Sequence, residues 1–91
     1  KCGVSEQVRR AAICRQVAEL LRDERLRQKM SMNQLAAQAG LSQQSVSYVE
    51  RQMRNPGLDT LLRITGALGV DLSALLSKAI RRSKRLDLKA R

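Results

Sequence analysis

The stretch Ser31-Met32-Asn33-Gln34-Leu35-Ala36-Ala37-Gln38-Ala39-Gly40-Leu41-Ser42-Gln43-Gln44-Ser45-Val46-Ser47-Tyr48-Val49-Glu50 decides the fold. It holds two helix starts and one helix stop. Ser31 with Gln34 three residues later is a capping-box pattern, in which each residue satisfies a backbone N–H near the other. Leu35, Ala36 and Ala39 give the following helix a narrow apolar face, and the alanines let another helix come close. Gly40 stops that helix in the left-handed conformation that glycine tolerates best. Ser42 then caps a further helix after a very short turn. Its apolar positions are Val46, Val49 and Met53. The opposite face carries Gln44, Ser47, Tyr48 and Arg51; it is polar and has no acid, with Glu50 off to its side.

Outward from this pair the pattern stays helical. From Ser5, a cap, to about Gln28 the chain reads as helix, with Glu6 at the positive end of the dipole. Ile13, Val17, Leu20 and Leu21 recur at helical spacing, as one long helix or a short one followed by a longer one. Past the loop Arg54-Asn55-Pro56-Gly57, a fourth helix runs from Leu58 to Leu68, with Leu58, Leu61, Leu62, Ile64 and Leu68 as expected core, and Gly69 ends it. Asp71 caps a fifth helix with Leu72, Leu75 and Leu76. β-branched residues never alternate over a strand-length window, so no strands are expected. The fold class is all-α, a single five-helix domain over 17–76, with an N-terminal helical extension over 1–16 and a basic C-terminal tail over 77–91.

Composition narrows the function. The chain has 91 residues, 18 Lys+Arg, 8 Asp+Glu and no histidine, for a net charge of +10. So basic a domain is attracted to polyanions. Seven of the basic residues and only one acid, Asp87, fall from Ser77 onward, so the tail is either a solvated end or an arm that tracks a nucleic-acid backbone, while Ile80, Leu86 and Leu88 offer apolar groups that could dock on a partner or on the domain. The lack of histidine removes the commonest general base and the commonest metal ligand. Cys2 and Cys14 lack a zinc-site spacing and read as inert or as a chance disulfide on oxidation. There is no glycine-rich phosphate loop, no convergent carboxylate pair and no nucleophile with a base. An enzyme is therefore not expected, nor a cofactor or metal. No run approaches a membrane span and nothing reads as a signal peptide, so no membrane partner is expected and the cytoplasm is the expected compartment. The chain opens on Lys1 rather than Met, as a trimmed segment would.

Two short helices joined by Gly40-Leu41-Ser42 are the sign of a helix-turn-helix. The first must hold the second at a steep angle, which asks for small residues at the crossing, a tight turn and an apolar anchor such as Leu41. The second must bury one face and offer the other to the major groove, which is wide enough for one helix. The stretch from Ser31 to Arg51, with Asn55-Pro56-Gly57-Leu58-Asp59-Thr60-Leu61-Leu62 and Ala67-Leu68-Gly69-Val70, resembles the phage-repressor and Cro-like helix-turn-helix family, also called the xenobiotic-response-element family. The resemblance runs from about Val17 to Leu76. It implies a lambda-repressor-like fold that binds double-stranded DNA as a homodimer.

By position, the resemblance makes Gln43, Gln44, Ser47 and Tyr48 the candidate base readers. Glutamine suits adenine, whose N6 and N7 it can bond together. Tyr48 has a core-packing alternative, and Ser47 is equally suited to being a small filler beside the DNA backbone. Met32, Asn33, Ser42, Arg51, Arg54 and Asn55 fall at phosphate-facing positions. Glu50 matches a glutamate that pairs with a first-helix arginine, here Arg25. Two positions depart from the family. Met32 stands where glutamine is common and has no side-chain donor, so the contact is lost or supplied by backbone N–H groups. Lys29 stands where glycine is common.

These features imply a sequence-specific transcriptional regulator, a repressor or an autoregulatory controller. The alternative is an antitoxin that binds a toxin through the first helix or the tail and represses its own operon. Nonspecific coating of nucleic acid fits the charge but not the uncharged start of the third helix. The fifth helix around Leu72–Leu76, the N-terminal helix and the tail are the candidate dimer surfaces.

Overall fold

The structure is a computed structural model that describes residues 6–53 and 55–89, with side-chain surroundings through 84. Five helices follow in order: α1 (Glu6–Arg27), α2 (Met32–Ala39), α3 (Gln43–Glu50), α4 (Leu58–Leu68) and α5 (Leu72–Lys89). No strand occurs among the described residues. The first segment is one continuous helix of 22 residues. The proposed cap Ser5 and Cys2 lie outside the described residues.

The core is aliphatic, as a chain with one tyrosine and no Phe or Trp requires. Leu21, Leu35, Val46 and Ile64, one from each of the first four helices, are essentially inaccessible and pack in one cluster with Val17, Leu20, Ala36, Val49 and Leu68. Leu75 and Ala79 of α5 complete it. Their burial, with that of Ser83, gives α5 an inward face at i, i+4, i+8. The helix runs on past Leu76 through most of the stretch set apart as a tail. It packs along α1, where Arg82 lies 4.0 Å from Glu19.

Three expectations need correction. Leu58 and Leu62 were expected in the core; both are exposed, because α4 turns Ile64, Thr65 and Leu68 inward instead. Met53 was expected on the buried face of α3, but α3 ends at Glu50 and Met53 is exposed. Gln52, with φ 62°, bends the chain off the helix axis before Met53 can reach that face.

The first four helices stop the same way. The N–H two residues past the cap reaches back five residues: Met30 to the Arg25 carbonyl at 3.1 Å, Leu41 to Ala36 at 2.9 Å, Met53 to Tyr48 at 2.9 Å and Val70 to Thr65 at 3.0 Å. This is the Schellman bond, which needs a left-handed residue just before the donor. Gly40 (φ 71°) and Gly69 (φ 73°) supply it without strain, whereas Lys29 (φ 59°) and Gln52 carry a Cβ there. A left-handed L-residue costs about 1–2 kcal/mol, partly offset by the greater unfolded-state freedom of glycine. Lys29→Gly is therefore expected to raise stability by about 0.5–1 kcal/mol, read from urea denaturation.

The end of α1 is also tied sideways. The amide nitrogen of Gln28 donates to the Leu68 carbonyl at 2.6 Å and to Glu24 at 2.8 Å. Hydrogen bonds from Arg27 and then Gln28 hold the Glu24 carboxyl below its usual value. These contacts fix the C-terminal ends of α1 and α4 to each other.

Candidate nucleic-acid interface

α2 and α3 form the unit that the sequence predicts. The Ser31 hydroxyl accepts from the Gln34 N–H at 3.0 Å, and the Gln34 side chain accepts from the Ser31 N–H at 2.8 Å, which closes the capping box. Ser42 accepts from the Ser45 N–H at 3.1 Å and caps α3. Leu35, Ala36 and Ala39 are buried, and so are Val46 and Val49 on the facing side of α3. Leu41 packs against the same cluster from the turn. Arg63 of α4 leans over this turn, with Nη1 3.5 Å from the Ala39 carbonyl, a place where a cation favours the negative end of α2.

Burying Val46 and Val49 leaves a polar face outward. Gln43, Gln44 and Arg51 are exposed, and Ser47 and Tyr48 are half-buried between them and the core. Gln44 donates to the Tyr48 hydroxyl at 2.6 Å, across one helical turn. That bond holds the amide in one orientation, and neither partner was singled out for it by sequence. Gln43 donates to the Met32 thioether at 3.5 Å, so Met32 joins the starts of α2 and α3 as an acceptor, although it brings no side-chain donor of its own. The N–H groups of Met32 and Asn33 belong to the first turn of α2, where a helix has no internal acceptors. Asn33 and Ser42 are exposed beside them, and Asn55 is exposed in the loop after α3. Arg54 lies outside the described residues.

The acid of α3 is sealed inward. Glu50 receives two bonds from Arg25, Nε to Oε2 at 2.7 Å and Nη2 to Oε1 at 3.0 Å. The third arm of the guanidinium, Nη1, donates to the Met30 carbonyl at 2.7 Å. The two side chains keep 8% and 4% of their exposure, so the pair is a buried bidentate clamp from α1 to the end of α3. One consequence is mechanical, because the clamp fixes the roll of α3 about its axis. The other is electrostatic, because the only carboxylate of α3 is neutralised away from the outer face.

Among the described residues no group of three or more His, Cys, Asp or Glu is placed to hold a metal. No single helix among them is long and apolar enough to cross a membrane. Cys14 is a free, exposed thiol.

Two short helices packed together across a tight glycine turn, the second with its polar side turned out, define a helix-turn-helix protein. The helix-turn-helix family model matches residues 21–75, and the chain belongs to that family. It is 36% identical over 62 residues to the immunity repressor protein of Bacillus phage phi105, covering 68% of this chain and 43% of that protein. It is 38% identical over 56 residues to an uncharacterized HTH-type transcriptional regulator, y4dL, of Sinorhizobium fredii (strain NBRC 101917 / NGR234), covering 62% of this chain and 29% of the relative. The chain thus spans less than half the length of either curated relative. Among solved structures it is similar to the wild-type restriction-modification controller protein C.Esp1396I, with a TM-score of 0.69, 25% identity, and coverage of 76% of this chain and 90% of that one. A variant of that controller bound to its highest affinity operator site has the same fold, with a TM-score of 0.71, 24% identity, and coverage of 79% and 95%.

Proposed function

We propose that this chain is a sequence-specific transcriptional regulator that acts as a homodimer on double-stranded DNA, as a repressor or autoregulatory controller in the cytoplasm. The observation that carries the reading is α3 itself: an acid-free polar face turned outward while the Arg25–Glu50 clamp locks the helix from behind. The family membership and the immunity repressor relative support it, and so does the controller protein solved on its operator. The antitoxin alternative draws no support from these relatives, and no catalytic role is assigned.

In this reading α3 enters the major groove by its N-terminal half. Gln43 and Gln44 reach base edges, with Gln44 oriented by Tyr48, and Ser47 lets the helix sit close. The α2 N-terminus with Met32 and Asn33, the cap Ser42, and Arg51, Arg54 and Asn55 grip the phosphates on either side. Two copies read half-sites about 34 Å apart, one turn of the duplex.

The test is fluorescence anisotropy on a duplex selected from a random pool, against a scrambled duplex at the same salt. The parent is expected to prefer the selected duplex by ~10³ or more. Gln44→Ala is expected to lose about 1–3 kcal/mol of that discrimination, with its melting temperature unchanged. Equal binding to both duplexes would falsify the sequence-reading role.

A further inference from the structure

Where α3 ends, the packing leaves a cleft. Its floor is apolar: Ile13 and Val17 of α1, Val49 of α3, Pro56, Leu61 of α4 and Leu76 of α5 enclose a cavity of about 150 Å³. Every helix but α2 contributes to it. A void of about this size with aliphatic walls holds one benzene ring. The cleft opens toward the N-terminal end of α1. Cys14, Gln52 and Asn55 line the apolar part and also a wider mouth bounded by Gln7, Arg10 and Ala11. The mouth is cationic. Among the described residues no acid lines either part. Arg10 has one loose ion pair, 4.0 Å from Glu6, with both side chains more than two-thirds exposed. Arg10, Cys14 and Val17 share one face of α1, about 10 Å from first to last.

We propose that this cleft is a binding site for a small amphipathic carboxylate, with one apolar ring on the aliphatic floor and, a short chain away, the carboxylate at Arg10. The size of the floor sets the ring. Its distance from Arg10 sets the chain, and the sign of the mouth sets the head group. The buried ring supplies most of the affinity, and the exposed guanidinium adds a modest preference for the acid. The effect on DNA rests on the regulator reading. Gln52 and Asn55 belong to the loop that follows α3, and Asn55 is one of the proposed phosphate grips. A carboxylate in the mouth competes for Asn55 and sets a negative charge beside the DNA backbone. A ligand shifts an equilibrium only by its difference in affinity for the two states, and both effects favour the DNA-free chain. The ligand is therefore an inducer, and DNA weakens its binding by the same factor.

Cys14 reports occupancy, because its exposed thiol lines both parts of the cleft. Its alkylation by iodoacetamide is followed in a Cys2→Ser chain. The probes are 3-phenylpropionate and its neutral counterpart, 3-phenylpropan-1-ol. So small a ligand in an open cleft is expected to have a dissociation constant of roughly 0.1–1 mM, so ~5 mM of the acid slows alkylation ~5-fold or more. The alcohol is expected to bind ~3-fold more weakly or worse, and Arg10→Ala to erase that difference. Ile13→Phe fills the floor and is expected to abolish the effect of both probes. If that variant does not fold, Leu76→Phe fills the floor from α5 and is read the same way. Alkylation that the acid does not slow overturns the site, and so does slowing that persists with the floor filled. An alcohol that matches the acid in the parent overturns the carboxylate. On the selected duplex, saturating acid is expected to weaken binding ~10-fold by anisotropy. Unchanged duplex affinity while Cys14 is protected overturns the induction. The alkylation needs no DNA, so a chain that binds the acid but prefers no duplex keeps the site and loses the regulator reading.

Discussion

Glu50→Ala is expected to cost the fold about 3–5 kcal/mol, as much as truncating a fully buried core leucine. The magnitude follows from what is left behind. A guanidinium is a permanent cation, and the Arg25 side chain keeps only 8% of its exposure. Without the carboxylate, a full positive charge stays buried with one remaining partner, the Met30 carbonyl at 2.7 Å. A domain of ordinary stability has about 5–15 kcal/mol to lose, so the variant is expected to be close to unfolding in mild urea. Removing both charges together is different. Arg25→Met with Glu50→Leu is expected to recover most of the loss, because well-packed apolar groups replace buried ion pairs at little or no cost. The Met30 carbonyl then lacks its donor, which retains a deficit of about 1 kcal/mol. If the single and double variants melt alike, the pair is not buried as described. The double variant also separates stability from function. It is expected to fold but to discriminate less well between duplexes, because the roll of α3 is then left to the packing of Val46 and Val49 without the clamp.

The second large effect is on DNA affinity. Only cations that neutralise phosphates release counterions, so the salt slope counts charges and ignores neutral hydrogen bonds. In the proposed complex Arg51 and Arg54 are the charged grips of each half-site. Asn33, Ser42, Asn55 and the α2 N-terminus add affinity without adding slope. Two cations per copy, four per dimer, give a slope of log K against log salt of about −3.6. Raising salt from ~50 to ~200 mM is then expected to weaken binding roughly 10²-fold. Arg51→Ala is expected to flatten the slope by about 1.8 and weaken all duplexes alike. A much steeper parent slope would place further cations on the backbone, and Lys78, Arg81, Arg82 and Lys84 of α5 are the ones to substitute next. A flat slope would remove the phosphate grips from the model of binding.

Much of this architecture is legible in the residues, where the determinant is local. Ser31 with Gln34, Ser42, Gly40 and Gly69 each act within a turn or two of their own position, and the helix ends fall where they predict. The end of α3 was hidden for the same physical reason in reverse. Its left-handed residue is Gln52, a type that gives no stop signal, so the apolar spacing appeared to run on to Met53. Lys29 fills the same left-handed position after α1, whose end the periodicity nonetheless places at about Gln28, one residue past Arg27. Periodicity showed that α4 is amphipathic but not which leucines are covered, because Leu58 and Leu62 obey the same spacing as Ile64 and Leu68. The charge of the last segment left a solvated end, a nucleic-acid arm and docking through its apolar residues all open; the choice rests on Ala79 and Ser83, small residues whose burial on the inward face of α5 no charge pattern records. At the interface, residue types and family positions give the candidates. The Gln44–Tyr48 bond and the Gln43–Met32 contact depend on rotamers and on how close the two helix starts come, which no spacing records.

The packing of α5 along α1 has a consequence for how the chain is made. The two helices that pack together most extensively, α1 and α5, lie far apart in sequence, so α1 leaves the ribosome well before its partner. α2, α3 and α4 meet near neighbours in sequence, and such short-range pairings form quickly once the chain is free. The aliphatic side of α1 still has no complete cover until Leu75 and Ala79 arrive, and at about 5–20 residues per second that is a delay of some seconds. The recognition unit therefore emerges before α5 and is held on a finished core only once α5 has followed it. An interrupted chain that stops before α5 would carry the reading helix without the support that aims it, and would be a target for degradation rather than a partial regulator.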